Sequence, residues 1–374
     1  MTARKGLFWL AGGVAAILAV LAFLVLRELT RAGAFTTFFP RGTEGCSRIG
    51  SFPGAEDITI DRRTGWAFVS VMDWRAYLKD EPASGAIGAI DLGADEPEVI
   101  LLRIDGAPQG LRPHGLSLWS DGAGDTRLFV VNHDTAGPRI EIFAVGEAEG
   151  VPVLSHLATV TGEALVSPND VAAVGPRAFY VTNDHGSTGK GARLREEIFR
   201  KDLASLAYFD GERMVEAVSG LTYANGVTVS ADGRTLVLAE TLDGMLRFYA
   251  RDPVTGGLTP KEGPEGFVWL GTAPDNIELA ADGSLVVAAH PDILAFVGLQ
   301  RNPEAQAPSQ VLHVRPHADR PGGRITELLL EPGALFSAAT TATIADGRIL
   351  AVSLFEPALL VCPLEEGAQP VQVP

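Results

Sequence analysis

Oxygen donors recur along this chain in one register. Glu56-Asp57, Asn169-Asp170, Asn225 and Asp275-Asn276 each stand immediately before an alternating apolar run. Carboxylate and amide oxygens from several segments, with few histidines among them, suit Ca²⁺, which takes about six to eight hard ligands. Magnesium would keep fewer protein ligands and more water. Any one of these residues could instead cap a turn before a strand, but that reading explains their recurrence poorly. Two of the seven histidines, His114 and His133, bound a single apolar segment and should lie close together. Beside a metal such a pair could serve as general base and proton shuttle. Equally it could be structural, hydrogen-bonded to a carboxylate such as Asp184. His185 and His290 fall on the same side of the repeat and are candidates to line a pocket, whereas His156, His313 and His317 lie outside the register and read as surface or loop residues. No Gly-x-Ser-x-Gly elbow, His-Glu-x-x-His pair, phosphate loop or EF-hand loop occurs. Two remote cysteines and no tight histidine spacing make zinc a poor candidate.

The elements that must position these groups are hairpins. Residues 167–185, SPNDVAAVGPRAFYVTNDH, alternate apolar positions up to a Gly175-Pro176 turn and then run on through Phe179, Tyr180 and Val181. That is the period-two signal of two antiparallel strands, whose open ends meet. The unit recurs around turns near Asp61, Asp121, Asp232, Asp282 and Asp346, six copies in all, although the last carries Thr341 where the others carry stronger ligands. The copies are spaced by roughly 50 to 65 residues, somewhat above the usual propeller-blade period. The reading is an all-β fold, a six-bladed β-propeller with equivalent positions ringed about the central axis. With 46% hydrophobic residues, 42 glycines and 24 prolines, the composition is that of a turn-rich globular all-β domain.

A net charge of −16 speaks against nucleic acid and against docking on anionic membranes. Residues 7–26 are uninterruptedly apolar behind Arg4 and Lys5, long enough to span a bilayer with the N-terminus in the cytosol. A retained transmembrane or signal-anchor helix is therefore expected over 1–27, a linker over 28–45 and the propeller over 46–374; cleavage after Ala32-Gly33-Ala34 is the alternative. The chain would be exported and membrane-anchored, its propeller facing the periplasm or extracellular space. In that compartment Cys46 and Cys362, at the two ends of the repeats, are expected to form a disulfide that clasps the ring. Closing so long a loop is worth about 5 kcal/mol in the chain-entropy model. Two inserts interrupt the repeats. Residues 186–191 read as a flexible loop and 192–206 as a short charged helix, either a lid over the channel mouth or a surface excursion. Residues 73–86 read as irregular, with Trp74 and Tyr77 available as a pocket wall.

The ordered set GAEDITI, LRPHGLSLW, LFVVNHDTAGPRIEIF, SPNDVAAVGPRAFYVTNDH, YANGVTVSADG, PDNIELAADG and AAHPD resembles the paraoxonases. These are calcium-dependent lactonases and arylesterases with a six-bladed propeller, and the resemblance runs from Cys46 to Cys362. It implies two calcium ions. A catalytic one would be held by Glu56, Asn169, Asn225, Asp275 and Asn276, and a structural one by Asp57, Asp170 and the carbonyl of Leu116. It further implies that His114 and His133 form the catalytic dyad, with Asp184, His185 and His290 around the substrate pocket. Glu56 and Asn276 would take part in catalysis through the upper ion. The expected activity is hydrolysis of aliphatic or acyl-homoserine lactones, with promiscuous arylesterase turnover. A sugar-lactone hydrolase and a non-enzymatic calcium-stabilised propeller are the alternatives. The lid departs from the family. Arg193, Arg195, Glu196, Glu197, Arg200 and Lys201 stand where lipoprotein-binding members carry apolar residues, so attachment is expected through the N-terminal helix instead.

Overall fold

The computed structural model describes residues 2–94, 97–316 and 323–364, and within the first helix the side chains from Gly13 onward. His317 and the expected end of the propeller at residue 374 lie outside the described residues. Six sheets follow one another in chain order as the blades of a propeller. Their innermost strands are Ala55–Asp61, Pro113–Ser120, Pro168–Ala173, Ala224–Val229, Ala273–Leu279 and Thr341–Ala345. Each opens one of the hairpins expected from the sequence. The second strands, such as Thr126–Asn132 and Leu285–His290, are near-continuous apolar runs because blades cover both of their faces.

Period-two alternation divides each second strand between two interblade cores. In the first blade Phe68 faces the second blade with Leu128 and Phe143, while Val69 and Ala67 face the sixth with Leu350 and Val352. Phe129 and Phe179 fill the next interface, and Tyr180 and Leu236 the one after. Each fully buried phenylalanine contributes on the order of 1.5–3 kcal/mol by leaving water.

The ring is closed twice. Ser47–Ile49 pairs antiparallel with Leu359–Pro363, so the start of the chain supplies the outer strand of the last blade. Cys46, just before that strand, is disulfide-bonded to Cys362 within its partner, 316 residues away. This bridge is the one expected from the sequence.

Among the described residues four α-helices stand outside the blades. The first, α1 (Thr2–Arg31), is followed by Gly33 at φ 82°, where the Ala34 N–H reaches back to the Leu29 carbonyl. That left-handed glycine ends the helix as a Schellman motif does. From Gly13 to Arg31 the helix has a mean hydropathy of 2.1 and none of its apolar stretch is buried, and it has the length and composition to cross a membrane. Its end is tied to the propeller, because the Ala32 carbonyl accepts from the Ile293 N–H at 3.0 Å.

The inserts differ from expectation. Residues 73–86 are not irregular. Asp73 caps α2 (Trp74–Leu78) by accepting from the Ala76 N–H at 3.0 Å, and Gly85 already begins the third strand of its blade. The lid helix α3 spans Lys190–Phe199, not 192–206, and stops at Arg200 in a left-handed conformation. Ala204 to Leu206 belong instead to the strand Ala204–Phe209, whose alternating ASLAYF pattern packs into the third blade. The last helix, α4, spans Ile293–Arg301 and begins at the Asp292 cap.

Two glycines govern the spacing at the axis. A Cβ on Gly115 would sit 2.6 Å from the Asp170 Cα, and one on Gly226 would sit 2.7 Å from the Asn276 Cα. The neighbouring blade's backbone therefore occupies the space that a side chain would need. Gly226→Ala is expected to lower the urea midpoint by an amount corresponding to about 1–3 kcal/mol, as overpacking does. Gly189→Ala, at φ −86° and with nothing within 4 Å of a Cβ, calibrates the replacement of a glycine without crowding, and an unchanged midpoint for Gly226→Ala would contradict the crowding.

Candidate functional site

In five of the six innermost strands the pairing with the second strand slips at one place. The slips fall between Ala55 and Ile58, Pro113 and Leu116, Pro168 and Val171, Ala224 and Val227, and Pro274 and Ile277. The residues inside them are Glu56-Asp57, His114-Gly115, Asn169-Asp170, Asn225-Gly226 and Asp275-Asn276. A β-bulge breaks the strict up-down alternation and re-aims side chains, and here every bulge holds a sequence-predicted ligand or base. The sixth strand pairs regularly through Thr341.

Contacts run around the ring between these bulges. Asp57 accepts the Leu116 N–H at 2.6 Å, and Asp170 accepts the Val227 N–H at 2.7 Å, each from the following blade. The Asn276 Nδ2 donates to Glu56 Oε1 at 2.6 Å and to Thr341 Oγ1 at 2.9 Å, bringing the fifth and sixth blades to the first. Asn225 Nδ2 donates to Thr241 Oγ1 at 3.1 Å. The opposite ends of these side chains are left over. Glu56 Oε2 and the Oδ1 atoms of Asn169, Asn225 and Asn276 are buried without a hydrogen-bond partner among the described residues. All four are acceptors. Buried polar groups are ordinarily paired, so four orphaned oxygens, contributed by four blades, are acceptors that could hold a hard cation.

The electrostatics agree. Burial first, then the charges of Asp57, Asp275 and Asp170, hold Glu56 well above the ordinary carboxylate range. Asp170 is raised well above it by burial and by Asp57, and Asp57 is pushed up to about 6 chiefly by burial. Glu278, two residues beyond Asn276, is also raised by burial and by Asp57. Sequence reading missed Glu278, whose only signal is an acid two positions past a ligand in the same strand. Among the described residues no three His, Cys, Asp or Glu side chains form a metal-holding group by themselves. The donor set fits calcium only with the asparagine amides included.

His114 and His133 do meet, Nδ1 to Nε2 at 2.8 Å, and His114 Nε2 lies 3.6 Å from Glu56 Oε1. Burial first, then His133, lowers the pKa of His114 well below the histidine range. His133 is lowered to about 4, mainly by burial, with Arg193 and Arg112 adding to it and Asp184 opposing. Both rings are thus neutral at pH 7 and able to accept a proton. Trp74 lies against His114 with ring centroids 4.7 Å apart, and Tyr77 lies 5.8 Å from His133. The α2 insert therefore forms an aromatic wall beside the pair.

The remaining pocket candidates have other partners. His290 Nε2 bonds Asp275 Oδ2 at 2.7 Å while its ring stacks on Phe296 of α4. Asp184 accepts from Ser167 Oγ and from His185 Nδ1, and His185 Nε2 reaches Glu197 of α3 at 3.0 Å. Glu196, buried, accepts the Gly186 N–H at 2.9 Å. The sequence left open whether this helix is a lid or a surface excursion, and its contacts hold it against the propeller. Its acids turn inward, while Leu194, Ile198 and Phe199 are exposed, the last at 70%. His156 is no loop residue either, since it bonds buried Glu141 at 2.9 Å. His313 lies in the strand Ser309–Arg315 and contacts Ser284 Oγ.

A six-bladed propeller with an oxygen-donor centre and a neutral histidine pair at one end of its axis is the framework of a hydrolase that works on an activated carbonyl. The family model described as Arylesterase matches residues 60–364. This chain belongs to that family and is a carboxylic ester hydrolase. It is 30% identical to serum paraoxonase/arylesterase 1 of Mus musculus over 337 residues, covering 88% of this chain and 92% of the relative. Identity to serum paraoxonase/lactonase 3 of Mus musculus is 31% over 314 residues, covering 82% and 85%. Among solved structures, a luciferin-regenerating enzyme aligns with a TM-score of 0.52 at 10% identity, over 88% of this chain and 97% of the other, a likeness of fold.

The lid latch has a pH dependence of defined sign. Burial opposes charge on His185, but hydrogen bonds to Asp184 and Glu197 outweigh it and raise its pKa to about 9. Relative to an ordinary value near 6.5, the charged form is stabilised in the folded state. The latch is fully present below about pH 6.5 and is lost as pH rises through about 9. Amide protection factors in α3, corrected for intrinsic exchange, should fall across that upper window. In His185→Gln they should start low and stay flat. Protection that is constant to pH 10 in the parent chain would contradict the latch.

Proposed function

We propose that the protein is a calcium-dependent hydrolase that opens lactones and cleaves aryl esters. The observation that carries this reading is the set of four orphaned acceptor oxygens beside a neutral histidine pair. Glu56, Asn169, Asn225, Asp275 and Asn276 would hold a catalytic ion, and Asp57, Asp170 and the Leu116 carbonyl a structural one. When bound, the catalytic ion supplies Lewis-acid polarisation of the carbonyl and a counter-charge for the developing oxyanion.

His114 then takes the proton of the attacking water. In the tautomer where His114 Nδ1 donates to His133 Nε2, its Nε2 is the free acceptor on the Glu56 side. As that nitrogen gains a proton, Nδ1 can pass its own to His133 across 2.8 Å. Asp184 favours the charge that results on either ring. The hydroxyl group adds to the carbonyl carbon, the acyl–oxygen bond breaks, and the pair returns the proton to the leaving alkoxide. A lactone gives a hydroxy acid, with no covalent enzyme intermediate.

We further infer that α1 is a membrane anchor and that the propeller lies on the non-cytosolic side, where its disulfide persists. Arg4 and Lys5 before the apolar run support that sidedness, and α1 ends against the face that carries the lid, which would turn that face to the bilayer. Glu28 lies 3.5 Å from Arg200, and Arg200 lies 2.5 Å from Asp243.

The test uses the full chain in detergent with δ-valerolactone, gluconolactone, a long-chain acyl-homoserine lactone and phenyl acetate. Turnover should require calcium, cease with EDTA and return with calcium but not magnesium. Asn276→Ala should abolish it, and His114→Gln should lower kcat by about 10²–10⁴-fold, the usual share of a general base. Chelator-insensitive turnover would sink the metal reading, and a near-normal His114→Gln would move the base to a carboxylate. Gluconolactone as the best substrate would favour a sugar-lactone enzyme.

A further inference from the structure

Two arginines at the mouth have no acidic partner among the described residues. Arg112, two residues before His114, donates from Nε to the Ala83 carbonyl at 2.9 Å, and its guanidinium lies over the Tyr77 ring at 5.8 Å. Arg193 of α3 likewise donates from Nε to a carbonyl, that of Ser187, at 2.9 Å. Both side chains are half-buried. Their terminal nitrogens have no acceptor among the described residues, and no carboxylate lies within 4.0 Å. Arg127, Arg139, Arg200 and Arg247, also partly buried, each have one, while Arg75, Arg251 and Arg348, which likewise lack a carboxylate, each give a terminal nitrogen to a backbone carbonyl. Asp184, whose charge is felt at Tyr77 together with those of both arginines, is already engaged by Ser167 and His185.

Removing a guanidinium from water without a counter-charge is costly. Tethering each at Nε fixes the plane of the fork and leaves its outer nitrogens for a planar or tetrahedral anion. Arg112 lies over Tyr77, which adjoins His133. Lys190, three residues before Arg193 on the same face of α3, bonds Asp80, three residues past Tyr77, at 2.5 Å, which brings the first turn of the lid helix to that end of α2. Both guanidiniums also act electrostatically on Tyr77 and on His133. A group bound there would belong to the substrate, held away from the reacting carbonyl.

We propose that Arg112 and Arg193 form a recognition site for an anionic group on the substrate, so that the enzyme prefers esters and lactones bearing a carboxylate or phosphate. This rests on the hydrolase reading above and names its substrate class. The lid carries one of the two contacts, so engaging the anion also holds α3 over the mouth.

The test compares three 4-nitrophenyl esters of similar length with the calcium-loaded full chain in detergent. They are the valerate, the monoglutarate and the 4-phosphonobutyrate. The two anionic esters share the chemistry, and their ratio says whether the fork is set for carboxylate or for phosphate. The parent enzyme should favour at least one of them over valerate in kcat/KM by about tenfold, mainly through KM, as one charged hydrogen-bonded contact allows. The preference should shrink in 0.5 M NaCl. Arg193→Gln and Arg112→Gln should each reduce the anionic-to-neutral ratio about tenfold, and Arg193→Lys should restore it in part. Glutarate should compete with valerate in the parent chain, a readout that needs no variant to fold. Valerate turnover with no anionic preference, or a preference that neither substitution alters, would overturn the inference. No turnover of any ester would instead refute the hydrolase reading, and the inference with it.

Discussion

The site depends on a backbone irregularity repeated five times. A regular strand sends consecutive side chains to opposite faces, so adjacent residues such as Glu56-Asp57 or Asp275-Asn276 could not both serve the axis. The bulge removes that restriction at the one level where the innermost strands converge. Asp57 and Asp170 use the freedom to bond the next blade's backbone. In the alternate blades Gly115 and Gly226 give up their side chains so that this approach is possible. Carboxylate and glycine therefore alternate around four blades, and the fifth contributes Asn276, which turns its amide to Glu56 and Thr341. The sixth blade has no bulge and brings only hydroxyls, Thr340 and Thr341, both donating to the Glu56 carbonyl. It completes the ring without adding charge.

Such an arrangement is electrostatically expensive by itself. Burial raises Glu56, Asp57, Asp170 and Glu278; the charge of Asp57 adds to this at the other three, and Asp170 adds at Glu56. Breaking or omitting one partner of a buried charge cluster typically costs several kcal/mol. The fold withstands this because its stability is generated elsewhere, in the interblade cores and in the strand and disulfide that close the ring. Separation of the two functions is the practical value of the propeller. Blade interfaces are apolar, the axis is polar, and a change at one need not disturb the other.

Much of this was legible in the sequence because the relevant signals are local and repeated. The six hairpins announce themselves by alternation and turn residues, and the recurrence of Asx or Glu at the start of four of the six first strands marks the axis. His114 and His133 could be paired because they bound the same two strands. The bulges themselves were not legible, since a one-residue slip depends on how the second strand is hydrogen-bonded, and the sequence around Asn225-Gly226 reads equally well as regular strand. Hidden for a similar reason was the role of Glu278, which depends on closeness to Asp57 across the ring. The lid helix was ambiguous in a different way. Charge along residues 190–201 fits either a lid or a surface excursion, and partners decide which side faces in. Glu196 has the Gly186 N–H and Glu197 has His185, so the acids turn toward the propeller and Leu194, Ile198 and Phe199 are left outside.

That orientation ties the mouth together. Three separate segments cover one end of the axis, and each is fixed by a contact to another. Lys190 of α3 bonds Asp80, just past α2, at 2.5 Å, and Arg75 of α2 donates to the Leu299 carbonyl of α4 at 3.0 Å. Ile293 of α4 donates to the Ala32 carbonyl at the foot of α1. The outward apolar residues of α3 thus lie on the side from which the long apolar helix departs. A solvated lid would gain nothing from exposing them, whereas a lid at the surface of a bilayer anchored through α1 would bury them in the interfacial layer. Its inward face, meanwhile, carries Glu197 to His185 and Glu196 to the Gly186 N–H. Anchored in this way, one short helix would meet two incompatible surroundings, apolar outside and charged within, and its residue order suits both.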